Sequence, residues 1–244
     1  MSRVIVTGAL GRMGRITCRK LQEAKDLSLA AGVDILAQEG TLGSLEAFSG
    51  EADILIDFSH HTAAPGIMAW AKEHGVAVIM CTTGHTEQEQ EAIRAAADTI
   101  PVFYSANMSL GVALLAELAK KTAAVFPDAD IEIVETHHNR KADAPSGTAL
   151  MIAEGIREAR GNVPYKLGRA GHDKRNAGEI GIHAVRAGNI VGIHEVLVCT
   201  DTQSITLKHE AYSRALFAEG AVAAADYICT VSEPGIYNMY DMLK

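Results

Sequence analysis

The chain has 244 residues, of which 48% are hydrophobic and 21% charged, so one large α/β domain or two modest ones are expected and disorder is not. The 30 acidic residues against 22 Lys and Arg leave a formal net charge of -8. This acidic balance gives little support to a nucleic-acid-binding surface, and we expect no nucleic-acid partner.

The first predicted elements are an apolar strand at residues 3–7, a glycine loop and a helix reaching about residue 26. The loop at residues 8–14 reads GALGRMG, a G-x-x-G-x-x-G spacing rather than G-x-G-x-x-G. Glycines between a strand and a helix let the backbone turn tightly and approach a pyrophosphate at the helix N-terminus. The predicted cofactor contacts in this loop are Gly8, Gly11, Arg12, Met13 and Gly14.

Asp34 follows a second predicted strand at residues 29–33. It lies about 20 residues past the last loop glycine, where an acidic residue accepts hydrogen bonds from the adenosine ribose hydroxyls of a dinucleotide. The alternative is a solvated aspartate at a strand end. No basic residue follows Asp34 closely, although Arg12 could reach a 2′-phosphate. NADH is therefore predicted at least as strongly as NADPH.

The next segments alternate between strand and helix. Short apolar strands are predicted at 53–58, 76–80 and 101–105, with a short helix around 45–48 and longer helices ending near 74 and 97. Ser59 or Thr62 can open the first long helix, and Thr86 with Glu89 forms a capping box for the second. This alternation predicts a Rossmann-type, doubly wound parallel sheet with ligands beyond the carboxyl ends of its strands.

A helix at 109–126 leads to a second region, where apolar residues alternate along a predicted strand at 131–136. His137 and His138 then fall at the strand's end and in the following loop, where working residues are common. Asp143 or Ser146 can cap the next helix, which should run to about residue 159.

The start of that helix predicts an anion site. Amides of its first turn attract carboxylate or phosphate, and Arg140 and Lys141 add positive charge nearby. His137, in this cationic setting, can transfer a proton near neutral pH, and Lys141 can assist the transfer. The alternative is a solvated loop before an ordinary capped helix. The predicted catalytic residues are His137 and Lys141, and the predicted substrate contacts are His138, Ser146, Gly147 and Thr148.

Residues 160–178 are predicted to be a loop with several basic side chains, either a mobile flap or an ordinary solvated loop. Strands at 179–186, 190–199 and 204–210, joined by turns at 187–189 and 200–203, predict antiparallel hairpins. Together with 131–136 they predict a second, α+β domain with a mostly antiparallel or mixed sheet of about four strands, covered by helices on one face. Residues 190–198 contain more apolar side chains than one helix-covered face of the sheet can bury, which predicts that the other face packs against sister subunits. A final helix is predicted at 214–230.

The run at residues 137–149, HHNRKADAPSGTA, resembles the motif of the dihydrodipicolinate reductase family. Supporting matches lie in the glycine loop and at 82–84, 106–109 and 186–188, so the resemblance covers nearly the whole chain. It implies NAD(P)H-dependent reduction of 4-hydroxy-tetrahydrodipicolinate to tetrahydrodipicolinate in lysine and diaminopimelate biosynthesis. The substrate would be a small dicarboxylate heterocycle.

The resemblance also implies a domain plan and further cofactor contacts. A dinucleotide-binding domain would cover residues 1–108, completed by about 215–244, and a substrate-binding and oligomerisation domain would cover 109–214. The family is typically a homotetramer. Cys81 replaces an expected Gly or Ala, and its side chain could crowd the cofactor or point into the core. The contacts implied around the nicotinamide are Thr82, Thr83, Gly84, Ala106, Asn107 and Met108.

Two other functions remain open, another two-domain dehydrogenase acting on an amino-acid-derived substrate and a non-catalytic nucleotide sensor. No metal site is expected, because the four cysteines are widely spaced and adjacent histidines are a poor pair of ligands for one zinc ion. The absence of a leader peptide and of a membrane-length apolar stretch predicts a cytoplasmic protein without a membrane partner.

Overall fold

The computed structural model describes residues 1–38 and 40–244. Two compact units make up the chain, one formed by Met1–Ser109 with Ala215–Lys244 and the other by Leu110–Arg214. Each unit contains one sheet and its own apolar core. Within the described residues, no helix combines the length and the apolar character needed to cross a membrane.

The elements of the first unit begin the chain. They are β1 (Ser2–Thr7), α1 (Arg12–Glu23), β2 (Leu27–Val33), a 3-10 turn (Leu45–Ala47), β3 (Ile54–Asp57), a 3-10 turn (His61–Ala63), α2 (Ala64–His74), β4 (Ala77–Met80), α3 (Glu87–Ala97) and β5 (Pro101–Tyr104). The second unit follows with α4 (Leu110–Val125), β6 (Asp130–His137), α5 (Gly147–Arg160), β7 (Tyr165–Leu167), β8 (Ile180–Arg186), β9 (Gly192–Cys199) and β10 (Ser204–Ala211). The chain then returns to the first unit with α6 (Ala215–Ile228), β11 (Gly235–Tyr237) and a 3-10 turn (Asp241–Leu243).

The sheet of the first unit is parallel throughout, in the order β11-β5-β4-β3-β1-β2. Its strands are apolar on both faces because helices cover both. Residues of α2 and α3 pack on the face that carries Ile5 and Leu55, whereas Phe103 contacts Tyr227 of α6. The predicted Rossmann-type, doubly wound sheet is confirmed, and β11 is a further strand that is too short to show periodicity.

The start of α2 differs from the prediction. Neither Ser59 nor Thr62 caps it; His60 caps the preceding 3-10 turn by accepting a hydrogen bond from the Thr62 amide. The Ser59 hydroxyl instead donates a hydrogen bond of 2.5 Å to the buried Asp57 carboxylate. The capping box of Thr86 is confirmed at the start of α3, and α1 ends at Glu23, short of the predicted residue 26.

The sheet of the second unit is mixed, in the order β10-β9-β6-β8-β7. β6 lies at its centre, antiparallel to β9 and parallel to β8. Helices α4 and α5 cover one face, where Ile131, Ile133 and Val196 pack against Ile152 and Ile156. The alternation predicted for residues 131–136 therefore orients β6 correctly, and the expected α+β sheet is present.

Two details of this sheet were predicted wrongly. β8 and β9 do not form a hairpin, because β6 lies between them; a turn in the sequence connects strands without deciding which strands pair. The segment 160–178 is not all loop, since β7 pairs with β8 and makes a fifth strand. Basic residues of this segment form ion pairs, with Arg169 2.7 Å from Glu179 and Arg175 2.7 Å from Asp130.

Candidate functional site

The glycine loop of the first unit wraps closely around the end of β3. Gly8 has a φ of +68°, and a Cβ there would lie 2.7 Å from the Ser59 amide nitrogen. A Cβ on Gly14 would lie 2.8 Å from the Ala9 Cα, so the first turn of α1 also touches the loop. Gly11 caps α1 with its backbone alone. These glycines are required by close backbone approach, which leaves the start of α1 accessible to a phosphate.

A cavity of about 500 Å³ opens beside this loop, at the carboxyl ends of the first three strands. Its lining includes Gly8, Gly11, Asp34, Ser59 and His60. The Asp34 carboxylate accepts hydrogen bonds from the amides of Leu10 and Leu36, each with a donor–acceptor distance of 3.0 Å. These bonds connect the loop after β2 to the glycine loop. The cradle, the helix start and the carboxylate together fit a dinucleotide. Arg12 is exposed and Met13 half-buried in the first turn of α1.

Asp57, which the sequence analysis did not select, holds this edge of the sheet together. It is fully buried at the end of β3. Its carboxylate accepts hydrogen bonds from the Thr7 hydroxyl, at a distance of 2.6 Å, and from the Thr82 hydroxyl, at 2.5 Å. Three chain segments are thereby joined. An aspartate ending an otherwise apolar buried strand was the available signal in the sequence.

The residues expected around a nicotinamide lie after β4 and β5. Thr82 is half-buried, whereas Thr83 and Gly84 are exposed, and Gly84 has a φ of +83°. The Cys81 sulfur, just past the end of β4, lies 3.8 Å from the carbonyl oxygen of Ile79. Burial of the thiol, with the charge on Asp57, raises the pKa of Cys81.

The segment after β5 forms the entry to α4. Ala106 is exposed, the Asn107 side chain accepts a hydrogen bond from the Ser109 amide over 2.9 Å, and Met108 is buried. A Cβ on Gly220 would overlap the Met108 carbonyl, so this segment packs closely on α6.

In the second unit, Glu135 and His137 lie on the same face of β6 because side chains two residues apart share a face. Both are buried, with exposures of 0% and 9%. The His137 Nδ1 lies 2.5 Å from a Glu135 oxygen. A carboxylate therefore contacts the histidine directly. The prediction that His137 has only cationic neighbours is wrong, because its surroundings contain both positive and negative charge.

Glu135 collects further donors from distant parts of the chain. Arg186 donates to both carboxylate oxygens at distances of 2.8 Å, and the Ser146 amide donates to one of these oxygens at 3.0 Å. Burial works against ionisation of Glu135, but hydrogen bonds from Arg186, then His137 and Ser146, outweigh it and lower the Glu135 pKa. Glu135 is thus a buried carboxylate held in its charged form. Glu135 was not among the site residues predicted from the sequence.

The loop after β6 brings several cationic groups together. His138 Nε2 lies 3.3 Å from an Arg214 nitrogen. Burial, followed by the charges of Arg140 and Arg214, lowers the His138 pKa. Lys141 is paired with Asp143 over 2.8 Å. The predicted cluster of positive charge is present, accompanied by one exposed acidic residue.

Ser146 caps α5, since its hydroxyl accepts a hydrogen bond from the Ala149 amide over 3.2 Å; Asp143 does not. Gly147 and Thr148 form the first turn, exposed and half-buried respectively. Ser146 itself is buried, and its hydroxyl lies 3.1 Å from His194 Nε2. The N-terminus of α5 is therefore fixed to β9 and to Glu135 at once.

His194, like Asp57 and Glu135, was not among the site residues predicted from the sequence. It lies opposite Glu135 on β9, and its ring packs edge-on against the His137 ring with centroids 5.1 Å apart. Burial, then the nearby His137 charge, lowers the His194 pKa to about 4. His194 is consequently neutral near physiological pH. An inward histidine in an alternating strand was the signal.

Among the described residues, no group of His, Cys, Asp and Glu is arranged to hold a metal ion. The geometry instead offers two sets of groups: a backbone cradle for an anion in the first unit, and a buried His–carboxylate pair beside a helix N-terminus in the second. The second set can move a proton and bind an anion, which are the requirements of acid–base chemistry on a charged substrate.

Comparison with known proteins finds similarity over the whole chain. A family model described as "Dihydrodipicolinate reductase, N-terminus" matches residues 2–108, and one described as "Dihydrodipicolinate reductase, C-terminus" matches residues 111–243. The chain is 41% identical to 4-hydroxy-tetrahydrodipicolinate reductase from Caldanaerobacter subterraneus subsp. tengcongensis, covering 100% of this chain and 99% of that protein. It is also 41% identical to the enzyme of that name from Methanoculleus marisnigri, with the same coverage.

Solved structures show the same fold. A dipicolinate-bound dihydrodipicolinate reductase from Paenisporosarcina sp. TG-14 superposes with a TM-score of 0.83 at 23% identity, covering 98% of this chain and 97% of that one. A probable dehydrogenase from Thermotoga maritima gives a TM-score of 0.67 at 13% identity, covering 98% and 92%. Identities this low speak for the fold alone.

Proposed function

Because this chain belongs to the dihydrodipicolinate reductase family, we propose that residues 1–108 with about 215–244 bind the nucleotide and that residues 109–214 bind the substrate and oligomerise. The chain is an oxidoreductase that catalyses the NAD(P)H-dependent reduction of 4-hydroxy-tetrahydrodipicolinate to tetrahydrodipicolinate in lysine and diaminopimelate biosynthesis. The main observation in support of a substrate site in residues 109–214 is the buried Glu135–His137 contact beside the N-terminus of α5.

His137 is the general acid in this proposal. Reduction of a conjugated imine creates an enamine that must gain a proton, and imidazolium is a suitable donor near neutral pH. Lys141 stabilises the charge that develops on the substrate and assists the transfer. Its pairing with the exposed Asp143 supports this role, because an exposed partner can be exchanged for a substrate carboxylate at little cost.

The substrate carboxylates bind at the start of α5. The amides of Gly147 and Thr148 offer donors together with the positive end of the helix dipole, and His138 adds a ring nitrogen. Ser146 has both its amide and its hydroxyl engaged within the unit, so it serves this site by holding the helix start in place.

The nucleotide binds at the glycine loop of the first unit. When bound, NADH or NADPH supplies the hydride. Asp34 accepts the ribose hydroxyls, which favours NADH at least as much as NADPH, while Arg12 is the group available to a 2′-phosphate. The remaining proposed contacts are Gly8, Gly11, Met13, Gly14, Thr82, Thr83, Gly84, Ala106, Asn107 and Met108.

The enzyme assembles as a cytoplasmic homotetramer through the sheet face of the second unit that α4 and α5 leave uncovered. Ile193 and Leu197 point to that face and are only half-buried, and Val185 is 43% exposed. Apolar residues on the sheet face opposite α4 and α5 favour contact with another copy of the chain. Light scattering that found a monodisperse monomer would remove this part of the proposal.

One assay tests the reaction and the cofactor together. The loss of nicotinamide absorbance is followed with freshly generated substrate, with simpler keto acids and with buffer alone, using NADH and NADPH in turn. Turnover restricted to the cyclic substrate is expected. Turnover of the keto acids would favour another amino-acid dehydrogenase, and nucleotide binding without turnover would favour a sensor. A strong NADPH preference that survived Arg12→Ala would contradict the role given to Asp34.

A further inference from the structure

Glu135 accepts hydrogen bonds from a charged side chain and a titratable side chain as well as from a backbone amide. Four reach its two oxygens: two from Arg186, one from the Ser146 amide and one from His137. None of these donors is adjacent to Glu135 in the sequence, and they come from β6, β8 and the start of α5. The carboxylate therefore joins the histidine, the arginine and the anion-binding helix into a single arrangement.

The contact with His137 determines which ring nitrogen carries hydrogen. An ionised carboxylate only accepts hydrogen bonds, so the His137 Nδ1 that lies 2.5 Å from it must be the protonated nitrogen. We infer that Glu135, clamped by Arg186, is a positioning residue that holds His137 as the Nδ1–H tautomer and makes Nε2 the atom that exchanges the proton with the substrate. This inference rests on the proposed role of His137 as the general acid.

The surroundings of Nε2 fit this assignment. Gly192 of β9 lies directly beside it, and a Cβ on that residue would come within 3.1 Å of Nε2. A side chain there would crowd the nitrogen, whereas glycine leaves its surroundings open. The His194 ring packs edge-on at 5.1 Å and restricts rotation of the His137 ring. The ring is thus held from one side by a carboxylate and from another by a neutral ring.

The proton transfer can be written in balanced form. The Nε2–H bond of the imidazolium breaks, its electron pair stays on Nε2, and the proton forms a new bond to the reduced substrate. The ring that remains is the neutral Nδ1–H tautomer, still donating to Glu135. Solvent then returns a proton to Nε2. No proton leaves Glu135 at any step, because its role is to stabilise the imidazolium and orient the ring, as an aspartate does in serine proteases.

The charged and titratable groups around His137 come from every packed element. Glu135 lies on the same strand, Arg186 on β8, His194 on β9, and His138 and Lys141 on the following loop. Glu135 is the anion in direct contact with the ring. Its removal should therefore disfavour the imidazolium, so that activity is lost at lower pH as the acid deprotonates.

The first test reads the tautomer of His137 directly by 15N NMR of histidine-labelled protein, without any substrate. The wild-type ring should show protonated Nδ1 and unprotonated Nε2 in its neutral form. Glu135→Gln should give a mixture or the reverse. Glu179→Gln is the matched control, since Glu179 is also buried and paired with an arginine, at the opposite end of β8. It should leave the His137 signals unchanged.

The second test is kinetic. Glu135→Gln should lower kcat by about 100- to 10,000-fold, the scale seen when the orienting carboxylate of a catalytic histidine is replaced. It should also move the high-pH loss of kcat down by about one pH unit or more, and leave NADH binding unchanged. Arg186→Lys, which keeps the charge but loses the two-pronged contact, should fall between wild type and Glu135→Gln. This variant keeps the test usable if Glu135→Gln does not fold.

The outcomes separate this inference from the proposed function. A wild-type His137 found as the Nε2–H tautomer, or an unshifted pH profile in folded Glu135→Gln and Arg186→Lys, would overturn the positioning role even if His137 is the acid. The expected tautomer change combined with full activity of His137→Gln would instead remove the proposed acid and leave the Glu135–His137 pairing standing. Equal effects in Glu179→Gln would mean a general loss of stability, which also overturns the inference.

Discussion

Each unit has a fully buried carboxylate at or near the carboxyl end of a strand, Asp57 in the first and Glu135 in the second, and the two differ in their hydrogen-bond donors. Asp57 and Glu135 are both 0% exposed. Asp57 accepts hydrogen bonds from neutral groups, namely the hydroxyls of Thr7, Ser59 and Thr82 and the Ser59 amide. Glu135 accepts from an arginine and from a histidine that can itself change charge. Similar burial and position thus accompany a structural role in one case and the proposed proton chemistry in the other, because the donors determine what the carboxylate can influence.

The largest expected effect comes from removing the titratable donor. His137→Gln should reduce kcat by about 100- to 10,000-fold, the usual contribution of a positioned acid. Steady-state kinetics across mildly acidic to mildly basic pH measures it, with nucleotide binding as the control. Near-normal kcat throughout that range would make Glu135 as purely structural as Asp57 and would direct the search for the acid to Lys141.

The neutral histidine beside this pair should make stability depend on pH. His194 has an ordinary pKa of 6.5 and a folded pKa of about 4, so between these values the unfolded chain binds one more proton than the folded one. Stability is therefore present above pH 6.5 and is lost as the pH falls towards 4, by on the order of 3 kcal/mol. Urea unfolding of wild type and His194→Asn across this window measures the difference.

The control for that experiment is His172→Asn, because His172 is exposed. It should keep the pH dependence of the wild type, whereas His194→Asn should flatten it. If the free energy of unfolding of the wild type did not change between the two pKa values, His194 would accept a proton in the folded unit as readily as in the unfolded chain. The buried, neutral packing of its ring against His137 would then be wrong.

Asp57→Asn tests the other side of the comparison. In the wild type, the surrounding hydroxyl and backbone amide groups donate to the Asp57 carboxylate. The asparagine side chain would place an NH2 group, itself a donor, against some of these donors, which should lower the free energy of unfolding by about 1–3 kcal/mol. The loops of the nucleotide site should loosen, raising KM for NADH, while the pH dependence of kcat keeps its wild-type midpoint. A shifted midpoint would mean that Asp57 also acts on proton transfer.

The smallest expected effect concerns the start of α5. Thr148→Ala removes the side-chain hydroxyl next to the two amides and leaves the backbone donors in place. It should raise KM for the substrate about 10-fold, the value of one hydrogen bond from that hydroxyl to a charged group, with little change in kcat. Thr122→Ala on α4 is a suitable control, since Thr122 is half-buried, as Thr148 is, and its hydroxyl donates to the Leu118 carbonyl of its own helix. A fall in kcat at constant KM would move Thr148 from substrate binding into the chemical step.

Much of the architecture was predictable because its signals are local. Periodic apolar residues located β1 to β6 within a few residues, and the capping box at Thr86 placed the start of α3. The pairing of strands was not predictable in the same way. β6 separates β8 from β9, and the three-residue strands β7 and β11 form only because a neighbouring strand offers its edge.

The sequence by itself determined the glycine loop, the acidic residue after β2 and the concentration of His137, His138 and Lys141 in front of a helix. Short stretches determine these features because turns, caps and periodicity act over only a few residues. Only the tertiary structure decided that Arg186 and Ser146 would meet Glu135, and that His194 would lie opposite it. Arg186 is 51 positions away from Glu135 in the chain, so their contact depends on how distant strands pair, and no local pattern encodes that pairing.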